Sequence, residues 1–228
     1  ADRMCEPFNI KRKIELLQEY NRTHKHQIYY TDTEALQNRD PALAPFTRTF
    51  YADHEIDFCK SRRTWIYALT MAGNLLHYER YGGLVQFMCF NNLCNTSGQS
   101  CIEVSKQESI LTASGLLLKW MSRTAAAWPL EIDGYEADSL KSVEIQASWN
   151  LDRTELVIDF VNKCDQNTRV TLDFSRLGRS FSRFRTVRLS ADDGDIQETI
   201  QSHGNIREEV HCGSFIIEGS QTFDIPAF

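Results

Sequence analysis

Between the Gly82-Gly83 break and Asn91-Asn92, the chain reads Leu-Val-Gln-Phe-Met-Cys-Phe from Leu84 to Phe90. A nearly continuous apolar run of this length is a strand covered on both faces. That is the pattern of a parallel sheet, whose crossovers lay helices on each side. Segments of helical period flank it. Ile10, Ile14 and Leu17, with Leu16 and Tyr20 beside them, predict a helix over Ile10–His24. Trp65, Leu69, Ala72 and Leu76, widened by Ile66, Ala68, Met71 and Leu75, predict a helix buried on most of its surface. Ile110, Leu111, Ala113, Leu116, Leu117, Trp120 and Met121 predict a third over Ser109–Arg123. A second buried strand is expected at Gln27–Thr31, ending on Asp32-Thr33-Glu34. Two parallel strands cannot bury their own faces, so this half reads as an incomplete set of β/α units.

From about Trp128 the texture changes. Leu130–Ile132, Val143–Ala147, Leu156–Phe160, Val170–Phe174, Thr186–Leu189 and Phe215–Ile217 are short alternating runs, with Asn150-Leu151-Asp152-Arg153 and Asp165-Gln166-Asn167 as turns between them. Regularly spaced short strands of this kind predict an antiparallel β-sandwich. The expected division is therefore an α/β segment over 1–127 and an all-β sandwich over 128–228.

Charge narrows the partners. Across 228 residues, 25 Lys+Arg stand against 31 Asp+Glu, a net of −6. An acidic chain with scattered bases is a poor polyanion binder, so no nucleic-acid partner is expected. No apolar stretch approaches the ~20 residues that span a bilayer, so no membrane span is expected either. The opening Ala1-Asp2-Arg3 has no initiator Met and reads as a processed product or a piece of something longer.

Seven cysteines (5, 59, 89, 94, 101, 164 and 212) fit no zinc spacing. Cys94 and Cys101 flank a polar loop that a disulfide could close; Cys164 and Cys212 are further disulfide candidates, and the odd count leaves one thiol free or tied to another chain. Asn21-Arg22-Thr23 and Asn95-Thr96-Ser97 are N-glycosylation sequons. Cysteines and sequons together point to a secreted, extracellular protein. His203 and His211 have no ligand partner at useful spacing, and no phosphate-cradling glycine loop occurs. Neither a metal nor another cofactor is expected.

Val157-Ile158-Asp159-Phe160-Val161-Asn162-Lys163, the stretch Leu189–Thr199, and the closing Thr222-Phe223-Asp224-Ile225-Pro226-Ala227-Phe228 resemble sandwich motifs of the retaining α-L-arabinofuranosidases, a glycoside hydrolase family. Those enzymes join a (β/α)8 barrel to a C-terminal sandwich. The resemblance implies that this chain carries the last β/α units of the barrel and the whole sandwich, with a carbohydrate as partner. The missing N-terminal barrel segment, or identical copies of the chain, would cover the open barrel edge. Asn92-Leu93-Cys94-Asn95 is similar to the family's Gln-Leu-Val-Asn at the end of the eighth strand. Asn92, one methylene shorter than Gln, would then be the sugar contact.

Retaining hydrolysis uses two carboxyl groups about 5–5.5 Å apart, one nucleophile and one acid/base. The resemblance implies a nucleophilic Glu at the end of the seventh strand. Glu34 is the first candidate, Asp32 the second if the strand ends earlier, and Glu55 a rival if Phe50–Asp57 is the strand instead. The aromatic and Asn that usually follow the nucleophile are absent. The acid/base belongs to an Asn-Glu pair on the fourth strand, and no Asn-Glu dipeptide occurs in the sequence. Two readings remain open: an enzyme completed by the missing barrel half, or a non-catalytic extracellular glycoprotein on the same scaffold. Elsewhere, Arg176, Arg179, Arg183, Arg185 and Arg188 alternate with Phe181, Phe184 and Val187 and read as a solvated strand face. Trp149 reads as sandwich core or as a sugar platform.

Overall fold

The computed structural model describes residues 7–32, 63–89, 93–95, 100–124, 127–135, 143–214 and 216–227. Helix α1 (Pro7–Thr23) leads to strand β1 (Tyr30–Asp32), and helix α2 (Trp65–Arg80) to strand β2 (Val85–Met88). β1 and β2 pair in parallel, Tyr30 with Val85 and Asp32 with Met88. Both strands are shorter than the apolar runs suggest. Ile14, Tyr78, Tyr30, Leu84, Val85 and Met88 make a small core beneath them.

Next comes an antiparallel hairpin, β3 (Ile102–Val104) with β4 (Ser109–Leu111), and then helix α3 (Ala113–Thr124). The expected third helix therefore starts four residues late, because Ser109–Leu111 pairs with β3. Helix entry is set by Thr112, whose hydroxyl donates to Ser100 O at 2.6 Å and accepts from Gly115 N–H. Gly115 is required there, since a Cβ would lie 1.9 Å from the Cys101 carbonyl oxygen.

The second half is strand-rich as expected. β5 (Trp128–Leu130), β6 (Val143–Trp149) and β7 (Leu156–Asn162) form one antiparallel sheet. β8 (Thr168–Asp173) pairs with β11 (Ser220–Ile225), and β9 (Phe184–Ser190) with β10 (Arg207–Gly213). Phe160 and Phe174 pack against Phe223, joining the first sheet to the β8–β11 pair. The outward face of that pair is polar, with Arg169 bound to Asp224 and Thr171 to Thr222. Two boundaries differ from expectation. The first strand lies at Trp128–Leu130, and Ile217 makes only an isolated bridge to Phe181 because the strands proper are β10 and β11. Phe215 lies outside the described residues.

The two halves meet on α2. Every residue from Trp65 to Tyr78 except Leu75 is buried. Its first N–H groups have no helical acceptor and are met by the β9–β10 connection: Trp65 N–H donates to Ile196 O at 2.7 Å and Ile66 N–H to Gly194 O at 2.8 Å. Thr64 caps Tyr67 N–H. Trp65, Ile66, Leu69, Ala72 and Leu76 form one core with Ala113 and Leu117 of α3 and with Val161, Ala191 and Ile206.

β6 is buried on both faces. Its odd-numbered residues are apolar, whereas Glu144, Gln146 and Ser148 alternate toward α2, beside Asp159 and Lys163 of the β7 segment. Glu144 is fully enclosed. Arg80 at 3.4 Å and Lys163 at 3.8 Å surround it, and the Tyr135 hydroxyl donates to it at 3.0 Å. Arg80 also donates to Ile145 O. Burial, reinforced by the Asp159 charge and opposed by Arg80, pushes the Glu79 carboxyl up to about 7. Burial alone raises Asp159 to about 6.

Removing one partner of a buried ion pair strands the other charge. Lys163→Met should therefore lower unfolding free energy by about 3–5 kcal/mol in denaturant titrations. The double change with Glu144→Gln should recover much of that loss; additive losses would contradict the pairing. Glu79 and Asp159 carry the opposite sign. Their carboxyls ionise at higher pH in the folded than in the unfolded chain, so stability falls as pH rises from about 4 to about 7. Glu79→Gln should raise stability at pH 8 and leave it nearly unchanged at pH 4, measured as urea midpoints; an equal effect at both would refute the assignment.

Candidate functional site

In a parallel sheet with helical crossovers, ligands and catalytic groups gather where the strands' C-terminal ends emerge. β1 and β2 run side by side and stop together, at Asp32 and Met88, so the segments after them leave from one face. Asp32 is the last residue of β1. The side chain of Asp32, and the residues Glu34, Glu55 and Asn92, lie outside the described residues. What the structure defines is the pair of strand ends at Asp32 and Met88.

Those ends are held by backbone pairing. After β2, the Leu93 carbonyl accepts from Cys101 N–H at 3.0 Å and Ile102 N–H at 2.9 Å, and Cys94 bridges Ile102. Asn95 takes a left-handed backbone, φ 51°. Its side-chain amide pairs with both backbone groups of Val104: Nδ2 donates to the carbonyl at 2.9 Å, and Oδ1 accepts from the N–H at 2.7 Å. Asn21 does the same with Ile28, both contacts at 2.8 Å, fastening the end of α1 to the approach to β1. Each sequon asparagine is thus a backbone staple, a role that the Asn-x-Thr/Ser spacing does not reveal. The amide edge used, Oδ1 with the hydrogen beside it, is the edge that a trans-linked N-glycan occupies.

The expected disulfides are not seen among the described residues: Cys89, Cys94, Cys101, Cys164 and Cys212 are unpaired there. Because Cys94 bridges Ile102, Cys101 is one residue out of register. It is buried while Cys94 is exposed, and burial pushes its thiol up to about 11. Cys164 follows β7 and Cys212 lies in β10, strands of different sheets. Cys5 and Cys59 lie outside the described residues.

The scaffold motifs have physical roles. Asn162 donates to Gln166 O and to Pro226 O, so the Val-Asn strand end pins the chain's closing segment. The buried Glu198 carboxylate accepts from the N–H groups of Gly204, Asn205 and Ile206. Glu103 joins the halves, accepting from Ile200 N–H at 2.7 Å and from Arg63 at 3.3 Å. The arginine run is largely solvated, as expected: Arg176 pairs with Asp133 and Arg188 with Glu209. Trp149 is buried against Phe181, the core role. Among the described residues no cluster of His, Cys, Asp and Glu could hold a metal ion, and no helix is long and apolar enough to cross a membrane.

Solved structures similar to this chain share its architecture. An arabinose-bound α-L-arabinofuranosidase of glycoside hydrolase family 51 matches with a TM-score of 0.62 and 13% identity, over 72% of this chain and 26% of that one. The fold is glycoside-hydrolase-like. The arabinose complex of the Thermotoga maritima α-L-arabinofuranosidase matches over 97% of this chain and 45% of its own length, TM-score 0.58 and identity 11%. The Thermotoga petrophila family 51 enzyme matches over 97% and 47%, TM-score 0.56 and identity 11%. The chain thus spans between a quarter and half of these structures. No family model matches it, and no curated relative does.

The staple can be tested directly. Asn95→Asp keeps the acceptor but loses the donor and sets a carboxylate against the Val104 carbonyl. It should lower stability by about 1 kcal/mol and speed hydrogen exchange at Val104. Unchanged exchange would mean that the pairing does not hold the loop.

Proposed function

We propose that this chain is the C-terminal part of a glycoside hydrolase of the retaining α-L-arabinofuranosidase type, acting on arabinose-containing glycans once an N-terminal barrel segment completes it. The observation that carries this reading is a fold match across almost the whole chain to less than half of an arabinose-complexed enzyme, together with two parallel strands ending on one face.

The chemistry assigns roles. A carboxylate at or just after the end of the seventh strand, with Glu34 first, Asp32 second and Glu55 as the rival if Phe50–Asp57 is that strand, attacks the anomeric carbon. The glycosidic bond breaks as a carboxylic acid protonates the departing oxygen. Water then cleaves the glycosyl ester, giving its proton to the same acid group. Asn92 would hydrogen-bond the sugar. The acid/base has no candidate in this sequence and must come from the completing segment. A second reading, a non-catalytic extracellular scaffold that binds glycan or self-assembles, is favoured by Asn92 in place of the family's Gln and by the missing aromatic-Asn pair after the nucleophile.

The test is covalent labelling of the native polypeptide that carries this chain. A mechanism-based arabinofuranoside inactivator should add one mass to the peptide containing Asp32 and Glu34, and Glu34→Gln should abolish both labelling and turnover. Native material near 26.3 kDa plus glycans that takes no label would overturn the enzyme reading in favour of the scaffold.

A further inference from the structure

In the strand-rich half, edge strand β5, the end of β6 with the turn after it, and the segment between β8 and β9 bring two arginines and two tryptophans together. Trp128 and Trp149 stand directly opposite each other across β5 and β6. Trp149 is buried, but Trp128 is 45% exposed, its indole N–H donating to Leu151 O at 3.2 Å. Arg153 lies over the Trp128 ring at 5.2 Å and Arg179 over the Trp149 ring at 4.8 Å. Arg179 Nη1 donates to the Arg153 carbonyl at 2.8 Å, tying the two together. Leu151, at the tip of the turn, is 78% exposed.

Arg169, Arg176, Arg188 and Arg207 each pair with a carboxylate; Arg153 and Arg179, like Arg123, Arg183 and Arg185, have none within ion-pair reach among the described residues. What is particular to Arg153 and Arg179 is that each lies over one of two tryptophans paired across neighbouring strands and that a hydrogen bond joins them. The neighbouring acid, Asp152, is turned into its own turn, accepting from the hydroxyl and the N–H of Thr154. Arg153 also holds a left-handed backbone, φ 58°, a conformation that favours glycine; the turn thus keeps a long cationic side chain where a residue without one fits better. A guanidinium held over an aromatic ring carries five N–H donors in a planar fork that can grip a carboxylate in two contacts; Arg179 spends one of them on the Arg153 carbonyl and keeps the others for a ligand. The exposed part of Trp128 and Leu151 supply an apolar shelf next to those donors, suited to the C–H face of a sugar ring.

We infer that Arg153 and Arg179, framed by Trp128 and Leu151, bind the carboxylate of a uronic acid residue in an acidic polysaccharide. The site is in the strand-rich half and uses none of the residues assigned to hydrolysis. Only the choice of a sugar as bearer of the carboxylate rests on the glycan-handling reading above. Binding is read by titration rather than turnover, so failure of the hydrolase reading and failure of this site are distinguishable.

The experiment is calorimetric titration of the full chain with oligogalacturonate and with its methyl-esterified form, following Trp128 fluorescence in parallel. The acid form should bind and change the fluorescence, and the ester should not. Arg153→Gly relieves the left-handed backbone, so it should hold or raise the Tm while weakening oligogalacturonate binding about tenfold or more. Arg179→Ala should weaken it similarly. Equal binding of acid and ester, full affinity in the Arg153→Gly/Arg179→Ala double variant, or no binding of the acid form would each overturn the site. Equal competition by acetate would also overturn the assignment to a sugar.

Discussion

A helix enclosed along nearly its whole circumference cannot leave its end groups to water, so protein must supply their partners. α2 is in that position. The carbonyls of Gly194 and Ile196 meet its first N–H groups, and Thr64 adds a side-chain cap. At its other end Arg80 turns to the β6 backbone and to Glu144. Because α2 also packs on α3 and shares a core with residues from both halves, it is the joint through which the parallel strands are held against the strand-rich half.

That joint is built partly from polar groups. Arg80 and Tyr135 hydrogen-bond Glu144 Oε2, while Oε1 has no hydrogen bond and meets only the Lys163 charge at 3.8 Å; Glu79 and Asp159 face burial with less compensation still. Hydrophobic residues could fill this space. A buried charge held by partners from three segments demands one geometry, however, and so fixes how the helix sits on the sheet more narrowly than side-chain volume does. The same logic recurs at the strand ends, where Asn21 and Asn95 substitute side-chain amides for backbone and set the paths entering β1 and leaving β2.

Much of this order was legible in the sequence. The stripe from Trp65 to Leu76 announced a helix buried all round, and the alternation after Trp128 announced the strands. Alternation could not say what lies against the second face of a strand. Glu144 and Gln146 are the polar positions of an alternating run, yet α2 covers them, because a period of two specifies sides and not their environment. Ser109–Leu111 fitted a helical stripe equally well and became a strand through pairing with Ile102–Val104, a contact invisible in local periodicity. At the candidate site, the strand order pointed to the face where β1 and β2 end. The asparagine staples gave no warning, since an Asn before Thr or Ser at two positions suggests a glycan before it suggests a hydrogen bond. Proximity in sequence is not register: Cys94 pairs with Ile102 and stands exposed, while Cys101, one residue away, is buried.

The capping of α2 also orders events in time. Trp65 and Ile66 are made long before Gly194 and Ile196, and loop closure over such a span is slow compared with forming a hairpin. A chain emerging from the ribosome therefore presents a long apolar helix whose acceptors do not yet exist. Those two caps can form only after the β9–β10 connection has been made and has returned to the helix start. Removing residues 194–196 would therefore be felt far away in sequence, as a helix start with two open N–H groups.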